Sequence, residues 1–151
     1  MKRLLPIVIE TVRTYESNNP ETILRSRGVH IRHHDMAFMP DAFYVSIGII
    51  KTVSVKDTLN QDEKNIALAH ELGHIVLRHK GQSLVDFHKI TTKERDEREL
   101  AANKFAFLLL AHTCLRNNVT MIDSIRDEKL LSLKDTVDLL KQLEGAACAY
   151  R

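Results

Sequence analysis

Residues 60–81 read Asn60-Gln61-Asp62-Glu63-Lys64-Asn65-Ile66-Ala67-Leu68-Ala69-His70-Glu71-Leu72-Gly73-His74-Ile75-Val76-Leu77-Arg78-His79-Lys80-Gly81. Asn60, followed three residues later by Glu63, has the form of a capping box and marks a helix start. The helix is predicted to run to about His79, with Gly81 as its left-handed terminator. Ile66, Ala67, Leu68, Ala69, Leu72, Ile75, Val76 and Leu77 spread around most of its circumference. A helix apolar on nearly every side is a buried one. Yet its centre carries His70, Glu71 and His74, which a core excludes unless something satisfies them.

His70-Glu71-Leu72-Gly73-His74 fits the pattern H-E-x-x-H. Residues four apart on an α-helix project from one face, so the two imidazoles can serve a single metal ion. Zinc accepts histidine nitrogen, and catalytic zinc takes three protein ligands with a water in the fourth position. Glu71 lies about 100° round the helix from His70, where its carboxylate can reach that water and act as general base. A shuffled chain of this composition yields the motif only about 0.03 times. The plain alternative is a pair of hydrogen-bonded core histidines that happen to flank a glutamate.

A third ligand has to come from elsewhere in the chain. The charged stretch Lys93-Glu94-Arg95-Asp96-Glu97-Arg98-Glu99 runs into Leu100-Ala101-Ala102-Asn103 and the apolar run from Phe105 to Ala111, read as one long helix entering the core partway along. With Glu99 set at 0° and 100° per residue, Ala102, Asn103, Ala106 and Leu110 all fall within about 60° of it. The two alanines allow a close approach to the first helix. Glu97 lies on the far side and Glu94 is turned away; Asp96 shares the face a turn nearer solvent and is the reserve candidate. Glu99 is therefore the expected third ligand, against the common fate of a solvated carboxylate in a charged first turn.

Working outward, Ile7, Val8, Val12 and Tyr15 share a face at helical spacing, ended by Asn18-Asn19-Pro20. A short second helix follows, with Asn19 as N-cap, Pro20 first inside, and Gly28 past its end. Val29 and Ile31, Phe43-Tyr44-Val45, Ile49-Ile50, and Val53 with Val55 then predict a small antiparallel sheet of about three strands. Beyond the long helix, two more helical segments are expected: one near Met121–Leu131, and one capped by Ser132 and closed by Gly145. The class is α+β, mostly helical, with the sheet packed on the H-E-x-x-H helix, and residues 1–151 are read as a single domain.

The chain of 151 residues carries 22 basic and 20 acidic residues, a net charge of +2. That balance, without a clustered basic face, argues against a DNA-binding regulator, the reading the capped tail helices would otherwise invite. The apolar runs fall far short of the roughly 20 residues that span a bilayer. The stretch from Leu4 to Ile9 is broken by Pro6 and closed by Glu10, unlike an export signal, so a cytoplasmic location is expected. Cys114 and Cys148 are too few for a disulfide framework and are read as thiols in a reducing compartment.

The quoted motif, with Leu77 and His79 after it and Glu99-x-x-Ala102-Asn103-x-Phe105-Ala106-x-x-Leu109 further on, resembles the ImmA/IrrE family of metallo-endopeptidases. The Gly28-Val29-His30-Ile31 strand and the helix from Ser132 to Leu143 also look like that family, so the resemblance covers roughly residues 17–145. It implies a zincin-like fold, a Zn2+ cofactor bound by His70, His74 and Glu99, and Glu71 as the catalytic residue. Family members are often encoded by phages and integrative elements beside a helix-turn-helix repressor, and the best understood cleave that repressor. The resemblance thus implies a gluzincin-type endopeptidase with a protein substrate and no direct nucleic-acid or membrane partner. Ala101 stands where Glu or Gln is common, and Ala111 where proline commonly follows the Leu-Leu pair. Both departures leave the ligands intact and bear on the substrate side. The alternative is a non-catalytic regulator, an antirepressor or toxin–antitoxin component, on the same fold.

The remaining polar candidates have plainer readings. His79 is 180° from His70 and is read as a helix-end surface residue. His33-His34-Asp35 is read as loop or edge, because adjacent strand residues face opposite ways. His88 and Asp86 lie between the two motif helices, Tyr44 and Tyr150 are read as packing residues, and Phe105-Phe107-Leu108-Leu109 as core.

Overall fold

The computed structural model describes residues 3–78, 91–117 and 131–149. Helix α1 (Leu4–Tyr15) and the short α2 (Pro20–Ser26) lead into strand β1 (Val29–His34). Strands β2 (Ala42–Ile47) and β3 (Ile50–Lys56) follow. Then come α3 (Gln61–Val76), α4 (Thr92–Asn117) and α5 (Leu133–Ala149). The expected Met121–Leu131 helix falls almost wholly outside the described residues, as do His79, Gly81, Asp86, His88 and Tyr150, and the side chains of Cys114 and Cys148.

The helix starts follow local chemistry. Asn19 accepts a hydrogen bond from the Thr22 amide at 3.1 Å, with Pro20 first inside α2. At α3, Asn60 accepts from the Glu63 amide at 2.9 Å and the Glu63 carboxylate accepts from the Asn60 amide at 3.2 Å. This reciprocal pair satisfies two amides the helix itself leaves open. The same device opens α4 between Thr91 and Glu94, and the Ser132 hydroxyl accepts from the Asp135 amide at α5.

The ends are less faithful to expectation. Helix α3 stops at Val76, and the left-handed residue is Arg78 at φ 55°, ahead of the expected Gly81. Helix α5 runs on through Gly145 to Ala149. An interior glycine costs a helix only about 1 kcal/mol, and the alanines that follow favour continuation.

The sheet has the order β1-β3-β2 and is mixed, which corrects the antiparallel expectation. β2 and β3 form an antiparallel hairpin with Ile47 opposite Ile50, and Gly48 turns it at φ 60°. β1 pairs with the other edge of β3 in parallel, Val29 opposite Lys51 through His34 opposite Lys56. The physical reason is that alternation sets only which face is buried, and β1 meets the far edge of β3 with no hairpin turn between them to force an antiparallel direction. Packing of α2 against both β1 and α3 holds β1 on that side.

The core forms around α4, where Phe105, Phe107, Leu108 and Leu109 are all completely buried. That helix lies against α1, α3 and α5, while α3 also contacts β2 and β3. Lys104 reaches Asp135 at 3.3 Å, pinning α5 to α4. Helix α3 thus touches both the sheet and α4, and its Glu71 and His74 are buried.

Candidate metal centre

Close approach of α3 to α4 is set by small residues. A Cβ placed on Gly73 would stand 3.2 Å from the Cα and carbonyl oxygen of Ala102 and from the Phe105 ring. With no Cβ there, the two backbones meet, and the side chains flanking the contact are drawn together.

Those side chains are His70, His74 and Glu99. The two Nε2 atoms lie 3.0 Å apart. Glu99 Oε2 is 3.0 Å from His70 Nε2, and Glu99 Oε1 is 3.2 Å from His74 Nε2. Among the described residues they are the group of histidine, cysteine, aspartate and glutamate that can hold a metal ion. Tetrahedral zinc with bonds of about 2.0–2.1 Å places its ligands about 3.3 Å apart. The observed triangle is close to that size and offers two nitrogens and one oxygen, so these residues fit a divalent metal. Asp96, the reserve ligand, is exposed and outside the group.

Asn103 supplies what spacing alone did not assign. Its Oδ1 lies 2.7 Å from His70 Nδ1, so that ring nitrogen carries the proton and donates to the amide oxygen. Nε2 is the nitrogen that faces His74 and Glu99, and on losing its proton it leaves His70 in the tautomer a metal ligand requires. The signal was available: Asn103 is one turn beyond Glu99 on the same face.

The charges are strongly coupled. Burial alone would raise the Glu99 carboxyl, but hydrogen bonds from His70 and His74 hold it well below the usual carboxylate range. Burial works against the His70 cation, yet Glu99, the Glu71 charge and Asn103 outweigh it and raise its pKa. His74 is pushed down, first by burial and further by the charges of His70 and Arg98. Glu71 is only 8% exposed. Burial, reinforced by Glu99 and opposed by His70, pushes its carboxyl up to about 7.

The other sequence candidates separate from this centre. His33 is exposed on β1, and Tyr44 packs on the core. His34, read as a loop or edge residue, is on the edge strand but buried, its ring 5.3 Å from that of Phe43, with no hydrogen bond to either ring nitrogen among the described residues. Nothing in its immediate sequence distinguishes it from exposed His33.

Two histidines four apart on one helix with a glutamate between them have the spacing of a metallopeptidase motif. The model of the IrrE N-terminal-like domain family, Peptidase_M78, matches residues 24–130, and the chain belongs to that family of peptidases. No curated protein matched the chain. Among the described residues no helix is long and apolar enough to cross a membrane.

Proposed function

We propose that the protein is a zinc-dependent endopeptidase of zincin-like fold, in which His70, His74 and Glu99 hold the metal and Glu71 is the catalytic acid–base. The observation that carries this reading is the 3.0–3.2 Å triangle of His70, His74 and Glu99 beside a buried carboxyl. When bound, zinc supplies Lewis acidity toward a peptide carbonyl and lowers the pKa of a water from about 15.7 toward 7.

The protein's own groups do the rest. His70 is locked in the required tautomer by Asn103, and Glu99 enters the site ionised. Glu71, with a carboxyl pushed up to about 7, is poised to take a proton from the attacking water and return it to the leaving amine near neutral pH. Burial excludes bulk water from that carboxylate, which keeps its basicity directed at the site.

The substrate is a protein, and the resemblance points to a helix-turn-helix repressor of a phage or mobile element, cleaved in the cytoplasm to release its genes. Co-incubation with the repressor encoded nearest the gene tests this. Wild-type protein should cut it and Glu71→Gln should not, though the variant still holds zinc. Stoichiometric derepression without cleavage products would instead favour the non-catalytic regulator.

A further inference from the structure

We infer that the β2–β3 hairpin tip is a docking lip for a protein segment bearing apolar and acidic side chains, an inference that rests on the peptidase reading and names its substrate class. Three isoleucines crown the tip: Ile49 is 97% exposed, Ile47 73% and Ile50 58%. Contiguous exposed apolar groups mark interaction sites, where single ones do not.

The tip stands at the metal-centre end of the fold. Helix α3 begins five residues after β3 ends and contacts both β3 and β2, so the short connection turns it back toward the hairpin. Its rise brings His70 and His74 about 14 and 20 Å from its start. The seven residues of β3 span about the same length, so the His70–His74 turn comes abreast of the hairpin end. A chain held on the tip is thereby brought toward the His70–His74 turn.

Charge selects the occupant. No acidic residue occurs between Arg25 and His34 or between Ala42 and Lys56. Lys51 is exposed next to Ile50 and pairs with Val29, bringing the exposed Arg27 to the same end, while exposed Arg78 closes α3 there. Asp35, Asp41 and Asp57 lie at the opposite end of the strands. An apolar crest among cations matches an apolar, acidic segment, and it repels a second copy presenting the same tip.

The test uses full-length, zinc-loaded Glu71→Gln protein, so that bound peptide survives, and short fluorescent peptides of Leu with Glu, Leu with Lys, and Ser with Glu. Anisotropy should show the Leu/Glu peptide bound at least about tenfold more tightly than the others. Ile47→Thr with Ile49→Ser, and separately Lys51→Glu, should each weaken that binding at least about tenfold at unchanged zinc content. Failure of the Leu/Glu peptide to bind, or equal binding by the tip variants, overturns the inference. So do preferential co-sedimentation with phosphatidylglycerol vesicles and self-association abolished by the isoleucine variant. Casein cleavage by the wild type separates the two readings: cleavage without Leu/Glu binding removes the lip alone, and binding without cleavage removes the peptidase and with it the substrate assignment, leaving the tip as a binding surface.

Discussion

Gly73 and Ala102 bring α3 and α4 into backbone contact, leaving no room for a side chain between them. The His70–His74–Glu99 triangle depends on that spacing, because His74 follows Gly73 directly and Glu99 lies one turn before Ala102. Gly73→Ala is expected to push the helices apart by a few tenths of an ångström. The stability cost of such overpacking is about 1–3 kcal/mol. Zinc affinity should fall at least about tenfold as the triangle opens, measured by competition with a chelating dye, and unaltered affinity would show that the contact does not set the site.

Asn103 acts on His70 through the 2.7 Å contact to Nδ1. Asn103→Ala is expected to weaken zinc binding by about 10–100-fold, the usual cost of losing such an orienting partner. Asn103→Asp, which keeps an acceptor in place, should recover most of it. Equal affinities for all three proteins would remove Asn103 from the site.

Much of this centre was legible in the chain, because its parts are local. A capping box, a four-residue histidine spacing and a phased glutamate are each encoded within one or two helical turns. The sheet was less so. Period-two alternation in Val29, Ile31, Val53 and Val55 shows which face is buried, but it is identical for parallel and antiparallel neighbours. Strand order depends on which edge of β3 the chain reaches when β1 docks, a property of the assembled core. The early end of α3 and the passage of α5 through Gly145 likewise reflect the balance of a whole helix over its single terminator residue. His34 is hidden by its place on the sheet, which its neighbours in sequence do not reveal.

Stability of the metal-free protein should carry the signature of Glu71. Its folded carboxyl is raised from 4.5 to about 7, so the folded state binds that proton more tightly than the unfolded one. The contribution is complete below the unfolded value and is lost as pH rises through about 7. Glu71→Gln cannot titrate. Compared with wild type in chelator, it should gain stability between about pH 5 and pH 8, by on the order of 3 kcal/mol. Urea denaturation at several pH values checks this, and parallel profiles for the two proteins would contradict it.

Metal retention should have the opposite sense of pH dependence. Ligand histidines bind metal only when neutral. His70 is held above its ordinary value of 6.5, against the effect of burial, by Glu99, Glu71 and Asn103. Zinc content after dialysis is therefore expected to fall as pH drops below about 6.5 and to be largely lost by about pH 5. Full retention at that pH would count against the two imidazoles as ligands.

Metal stoichiometry addresses the centre itself. After equilibrium dialysis against micromolar zinc at neutral pH, elemental analysis should find one zinc per chain in wild type and in Glu71→Gln. His74→Ala and Glu99→Ala should each be essentially empty while keeping their helical circular dichroism. A wild type that takes up no metal, or folded variants that retain a full equivalent, would contradict the site.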